Sequence, residues 1–181
     1  MQQKLMQPLY SKQVIANRIE KLADELNKKY ENEENVHMVV TLNGAFIFAA
    51  DLIRKLKFPL TLCFAGSVTS NVQQVGDTRI NSNALPRSFG NQPVLVLEDI
   101  IDSGKTISVL REMIAEKFPG SIEIIALVKR QSCKIAPDYA CFTVPEGMFL
   151  VGYGLDLDSR YRELPGIFTI DCTVKKAQSL C

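Results

Sequence analysis

Residues 94 to 106 read Val-Leu-Val-Leu-Glu-Asp-Ile-Ile-Asp-Ser-Gly-Lys-Thr. Two adjacent carboxylates, Glu98 and Asp99, interrupt an apolar run, with Val94 to Leu97 before them and Ile100 and Ile101 after. Charge in such a setting is costly unless something pairs with it. A small polar turn follows, Asp102-Ser103-Gly104-Lys105-Thr106, and then Ile107, Leu110, Met113 and Ile114 recur at helical spacing. Backbone N–H groups in such a turn, at the start of a helix, can cradle one phosphate. The acids just upstream can accept hydrogen bonds from the hydroxyls of a ribose. The chemistry this pattern suits is that of a phosphorylated sugar.

Two other phosphate motifs fail on spacing. The Gly-Lys-Thr ending suggests a nucleoside-triphosphate loop, but that loop needs a glycine five residues before Gly104, and Asp99 stands there. The dinucleotide fingerprint needs three glycines at the turn, and this turn has one.

The surrounding chain reads as alternating helices and strands. Ser11 is an expected helix N-cap, and Ile15, Ile19, Leu22 and Leu26 mark one face of the helix after it. Val36 to Leu42 predicts a strand, Asn43-Gly44 a turn, and Phe46 to Leu56 a helix with Ala49, Leu52, Ile53 and Leu56 inward. Further strands are expected at Leu60 to Phe64, from Val94, at Ile122 to Val128 and at Tyr139 to Val144, with Pro119-Gly120 ending the helix after the acidic pair. Continuously apolar strands alternating with helices predict an α/β fold, a parallel sheet covered by helices on both faces. Gly66 to Gln92 lacks a sustained apolar period, and a loop that long suits a lid that excludes water, with a short hairpin around Thr78 to Ile80. Ligands of open parallel sheets bind beyond the carboxyl ends of the strands, where Asn43-Gly44, Glu98-Asp99, Lys129 and Asp156 fall.

The thirteen residues resemble the signature of the type I phosphoribosyltransferases, which use phosphoribosyl pyrophosphate (PRPP), and are most similar to the branch acting on hypoxanthine and guanine. Tyr10 to Ala23, Leu42 to Arg54, Ala126-Leu127-Val128-Lys129-Arg130 and Val151-Gly152-Tyr153-Gly154-Leu155-Asp156 agree with that family in the same order, so the resemblance spans about residues 8 to 171. It implies a small hood and a flexible lid over the parallel sheet. It implies transfer of the 5-phosphoribosyl group from PRPP to hypoxanthine or guanine, yielding IMP or GMP and pyrophosphate in purine salvage.

Residue roles come with the resemblance. Ser103, Gly104 and Thr106 would hold the 5′-phosphate, with Lys105 either a further contact or a solvated charge. Asp102 would be the general acid/base at N7 of the purine; an N-cap role for the following helix is the plainer alternative. Lys129 would bond the oxygen at C6, which an ammonium satisfies and the amino group of adenine does not. Arg130 is expected to point elsewhere. Phe149 would stack on the purine, unless it is an ordinary core residue, and Leu150 would offer its backbone at the base edge. Glu98, Asp99 and Asp156 are the expected ligands of Mg2+, a cation that takes oxygen ligands and bridges phosphates. Arg162 would contact pyrophosphate, as would the Asn43-Gly44 turn.

The match weakens in two places. The family usually has lysine and then glycine after the first strand, with a cis peptide before the lysine; here the residue is Asn43, and whether Leu42-Asn43 is cis stays open. The lid lacks the family's tyrosine, which leaves Thr69 and Ser70 as its expected contacts.

The 181 residues suit a single domain over 1–181. A net charge of +1 with 46% hydrophobic residues argues against nucleic-acid or membrane partners. No apolar run approaches the roughly 20 residues of a membrane helix, and the N-terminus lacks a signal-peptide core, so a cytoplasmic location is expected. Five scattered cysteines (63, 133, 141, 172 and 181) without C-x-x-C spacing suggest free thiols. His37, the single histidine, is expected to be packed and hydrogen-bonded. A homodimer or homotetramer is typical of the resembled family. Two alternatives remain: an enzyme shifted toward xanthine, and a PRPP-sensing regulator without catalysis.

Overall fold

The computed structural model describes residues 6–69, 78–80 and 85–170, with the backbone alone for 67–69 and 78–80. Five strands form a parallel array: β2 (Val36–Leu42), β3 (Leu60–Thr69), β5 (Pro93–Ile101), β6 (Ser121–Arg130) and β7 (Tyr139–Val144). A short strand, β4 (Thr78–Ile80), pairs antiparallel with Ser67–Thr69 of β3, giving the order β4-β3-β2-β5-β6-β7. The helices are α1 (Lys12–Lys29), α2 (Phe46–Ile53) and α3 (Lys105–Ala115).

Strand alternation divides the core between the two faces of the sheet. Met38, Val40, Leu95, Leu97, Ile125 and Leu127 pack with α1 and α2, whereas Val39, Val94, Val96, Ile124 and Ala126 pack with Ile107, Leu110 and Ile114 of α3. Burial on both sides explains why these strands read as unbroken apolar runs.

A second sheet, the hood, is antiparallel with the order β1-β9-β8, built from β1 (Met6–Tyr10), β8 (Phe149–Val151) and β9 (Ile167–Ile170). Both ends of the described chain therefore meet in one small sheet. Ser11 caps α1 as expected, its Oγ accepting from Val14 N at 3.3 Å.

Several expectations need correction. α2 stops at Ile53 because the next N–H groups bond three residues back, Lys55 to Leu52 and Leu56 to Ile53, which tightens the turn. The Asn27 side chain of α1 then takes up Lys55 O and Lys57 N. β3 runs five residues past Phe64 to Thr69, where β4 gives its end a partner. Within the expected lid, Leu85 and Phe89 are buried against the α3 side of the sheet, so this part of the segment is anchored. His37 packs edge-on to Phe89, but its buried Nδ1 has no hydrogen-bond partner. No helix among the described residues is long and apolar enough to cross a membrane.

Candidate active site

Chain direction creates the site. From β2 the chain passes through α2 to β3 on one side, and from β5 through α3 to β6 on the other. The reversal point lies between β2 and β5, and a crevice opens at the carboxyl ends of strands in such a place. The β2–β5 ladder stops at Val40 and Leu97, one residue before Glu98. Thr41 adds one last stitch, its Oγ1 donating to Leu97 O at 2.8 Å. Beyond it β2 turns away through a cis Leu42-Asn43 peptide to Gly44, resolving the question left open by the substitution at Asn43.

Glu98 and Asp99 lie inside β5 rather than after it, with Ile100 and Ile101 continuing the pairing with Val128 and Lys129. Glu98 is only 8% exposed. Loss of hydration pushes its carboxyl well above the usual range, and the charge of Asp99 adds to this. Burial raises Asp99 as well, while its hydrogen bond with Glu98 and the charge of Arg162 pull it back. Oε2 of Glu98 is buried without a hydrogen-bond partner, and such an atom invites a donor or a cation.

The rest of the crevice is packed backbone on backbone. The Asp99 carboxylate sits where a side chain on Gly44 would be. Gly44 O in turn fills the place of a side chain on Gly154, whose φ is 98°. Arg162 Nη1 donates to Gly154 O at 2.6 Å, and its Nη2 lies 2.8 Å from Asp156 Oδ1. Asp156 Oδ2 also accepts from Ser159 N at 2.7 Å. The structure thus brings Gly44, Asp99, Gly154, Arg162 and Asp156 into one connected wall. Among the described residues no three acidic, histidine or cysteine side chains form a ready metal cluster. The all-oxygen set of Glu98, Asp99 and Asp156 still fits Mg2+, which usually takes one or two carboxylates plus waters and phosphate oxygens.

The turn after β5 has the form a phosphate loop requires. Gly104, at φ 80°, is the N-cap of α3 without any side-chain cap, so Asp102 does not fill that role. The first N–H groups of a helix lack intrahelical acceptors and point out of its end. A side chain at Gly104 would also meet Ile135 Cδ1 at 2.7 Å, so the loop between β6 and β7 backs this turn. Ser103 and Lys105 are exposed and Thr106 is half-buried.

The residues expected at the base lie on β6 and β8. Lys129 is inside β6, level with Ile101 and Thr143, rather than after the strand. Phe149 and Leu150 belong to β8 of the hood, paired with Ile170 and Thr169; Leu150 is buried and Phe149 partly so. Arg130, expected to point elsewhere than the base, turns toward the loop after β5, with Nε 3.6 Å from Asp102 Oδ1. Of the expected lid contacts, Thr69 ends β3 and Ser70 lies outside the described residues.

The model of the phosphoribosyl transferase domain family matches residues 7–159, which include every element of this crevice except Arg162 and β9. The chain belongs to that family. Among the relatives of this phosphoribosyltransferase is the hypoxanthine phosphoribosyltransferase of Buchnera aphidicola subsp. Schizaphis graminum, 34% identical over 88% of this chain and 92% of that one. The hypoxanthine-guanine phosphoribosyltransferase of Dictyostelium discoideum is 30% identical over 87% and 91%. A solved hypoxanthine phosphoribosyltransferase from Staphylococcus aureus superposes with a TM-score of 0.83 at 29% identity, covering 94% of each chain. The expected α/β architecture, parallel sheet and hood included, is that of these structures.

Sequence reasoning missed Thr41, Arg130 and Ile135. Threonine and isoleucine at strand and loop positions carry no local signal of a role. Arg130 did carry one: a cation next to Lys129 at the end of a buried strand needs acceptors somewhere.

Proposed function

We propose that this phosphoribosyltransferase serves purine salvage, joining the 5-phosphoribosyl group of PRPP to hypoxanthine or guanine to give IMP or GMP and pyrophosphate. One observation carries the reading. At the sheet's reversal point the acidic pair of β5 packs on the Gly44 turn and is joined through Gly154 to Arg162 and Asp156, and β5 runs on into a glycine turn that opens an uncapped helix. The names of the relatives support the choice of 6-oxopurines.

The sugar phosphate takes the turn from Asp102 to Thr106, with Ser103, Gly104 and Thr106 supplying backbone and hydroxyl donors and Lys105 a nearby charge. Glu98 and Asp99 accept the ribose hydroxyls. The Asn43-Gly44 turn and Arg162 hold the pyrophosphate, so its growing negative charge meets fixed donors. Glu98, Asp99 and Asp156 would hold Mg2+, which when bound would offset part of that charge. Asp102 takes the proton from N7 as the purine N9 attacks C1 of the ribose, and no side-chain nucleophile is needed. Lys129 donates to the oxygen at C6, and Phe149 stacks on the ring. Thr69 and Ser70 are the candidate lid contacts in this reading. The whole chain acts as one catalytic domain in the cytoplasm, assembled as a homodimer or homotetramer.

The experiment is nucleotide formation from PRPP and magnesium with hypoxanthine, guanine, xanthine or adenine in separate reactions. Product from hypoxanthine or guanine with little from adenine supports the reading. Product from xanthine alone, or from none of the four, removes it.

A further inference from the structure

We propose that Arg130 is a positioning residue: its guanidinium fixes the Asp102 carboxylate relative to the turn that enters the hood, and so sets the spacing between acid/base and stacking ring. This role rests on the reading above, in which Asp102 and Phe149 both meet the purine.

Arg130 is the last residue of β6, and its side chain is 11% exposed. Nη1 donates to Pro145 O at 3.0 Å and Nη2 to Met148 O at 2.6 Å. Both carbonyls lie on the turn between β7 and β8, and Met148 immediately precedes Phe149. Nε faces Asp102 Oδ1 at 3.6 Å. One side chain thus touches the loop after β5, from the end of β6, and the entry to β8, linking the parallel sheet to the hood.

Asp102 needs such a partner. Its side chain is 72% exposed on a turn, and no cap bond to α3 holds it. A free carboxylate there would move among its staggered rotamers. A buried cation at 3.6 Å, itself pinned by two carbonyls, favours the rotamer that faces it. Only a guanidinium can do this, because its planar fork offers donors in several fixed directions at once. Lysine would keep the charge and lose the geometry. Neighbouring strand residues project to opposite sides, so Arg130 can hold Asp102 without competing with Lys129 for the base.

The test is a double-mutant cycle measured with PRPP, magnesium and hypoxanthine. Wild type, Arg130→Lys, Asp102→Asn and the double variant are compared for kcat, for KM of each substrate and for melting temperature. Arg130→Lys is expected to lower kcat about 10- to 100-fold and to leave the KM for PRPP within about 3-fold. In the Asp102→Asn background it should cost less than about 3-fold more, since its partner carboxylate is already gone. Should the lysine variant fail to fold, Arg130→Gln, which retains one donor group for a carbonyl, provides the same cycle. Equal losses in both backgrounds would show that Arg130 acts through general packing and would overturn the proposal. So would an unchanged kcat in the single variant. A wild type that forms no product from any 6-oxopurine defeats the salvage reading and this role together. An active wild type with additive variants defeats this role alone.

Discussion

A β-carbon on Gly44 would stand 1.7 Å from Oδ2 of Asp99. The turn after β2 and the acidic pair of β5 are therefore a single fitted unit. Gly44→Ala is expected to push the turn out of place and lower kcat/KM for PRPP by about 100-fold, with a lower melting temperature. Steady-state kinetics and a thermal melt check this, and a variant with wild-type kinetics would mean that the working enzyme does not keep this contact.

Asp102 is exposed and makes no cap bond, so replacing it should spare the fold. Asp102→Asn should leave the melting temperature within about 2 °C, since surface changes usually cost little, and lower kcat by about 100-fold or more. An unaltered turnover number would take Asp102 out of the proton transfer.

Lys129→Gln should raise the KM for hypoxanthine by about 10- to 100-fold, the usual worth of a hydrogen bond from a charged group. PRPP binding, measured calorimetrically, should be unaffected. Equal weakening toward both substrates would mean that Lys129 supports the sheet end rather than the base.

Alkaline pH should destabilise the protein through buried thiol and phenol groups. Burial pushes the Cys141 thiol from 9.0 up to about 12 and raises Tyr30 and Tyr153 above their usual 10.0. Above about pH 9 the unfolded chain gives up these protons while the folded chain keeps them, so the unfolded state binds fewer and stability falls. Below the unfolded values both states are protonated, and this contribution is fully present. Melting temperatures should hold steady from pH 7 to about pH 8.5 and then decline toward pH 11. A flat profile to pH 11 would show that these groups ionise without unfolding.

The sheet was legible because burial on both faces leaves long apolar runs, and Val94 to Leu97 or Ile124 to Val128 admit few other readings. The acidic pair and the Gly104 turn were legible because spacing alone separates them from other phosphate motifs. The hood strands were not, since β8 and β9 have only three and four residues and β1, which pairs with β9, lies at the other end of the described chain. The direction of Arg130 was hidden because its acceptors are main-chain carbonyls, which leave no trace in residue type. The packing of Gly154 on Gly44 is likewise a contact across 110 positions that no local pattern announces.

The hood has a consequence for how the molecule is born. Its middle strand, β9, is also the last described to emerge during synthesis, and β1, the first, waits for it. Chains grow from the N-terminus, and the parallel sheet can assemble as soon as β7 appears. A nascent chain halted before Ile167 would hold the parallel sheet with β1 and β8 still lacking their shared partner. The hood closes in a single late step, when β9 joins the two ends of the described chain.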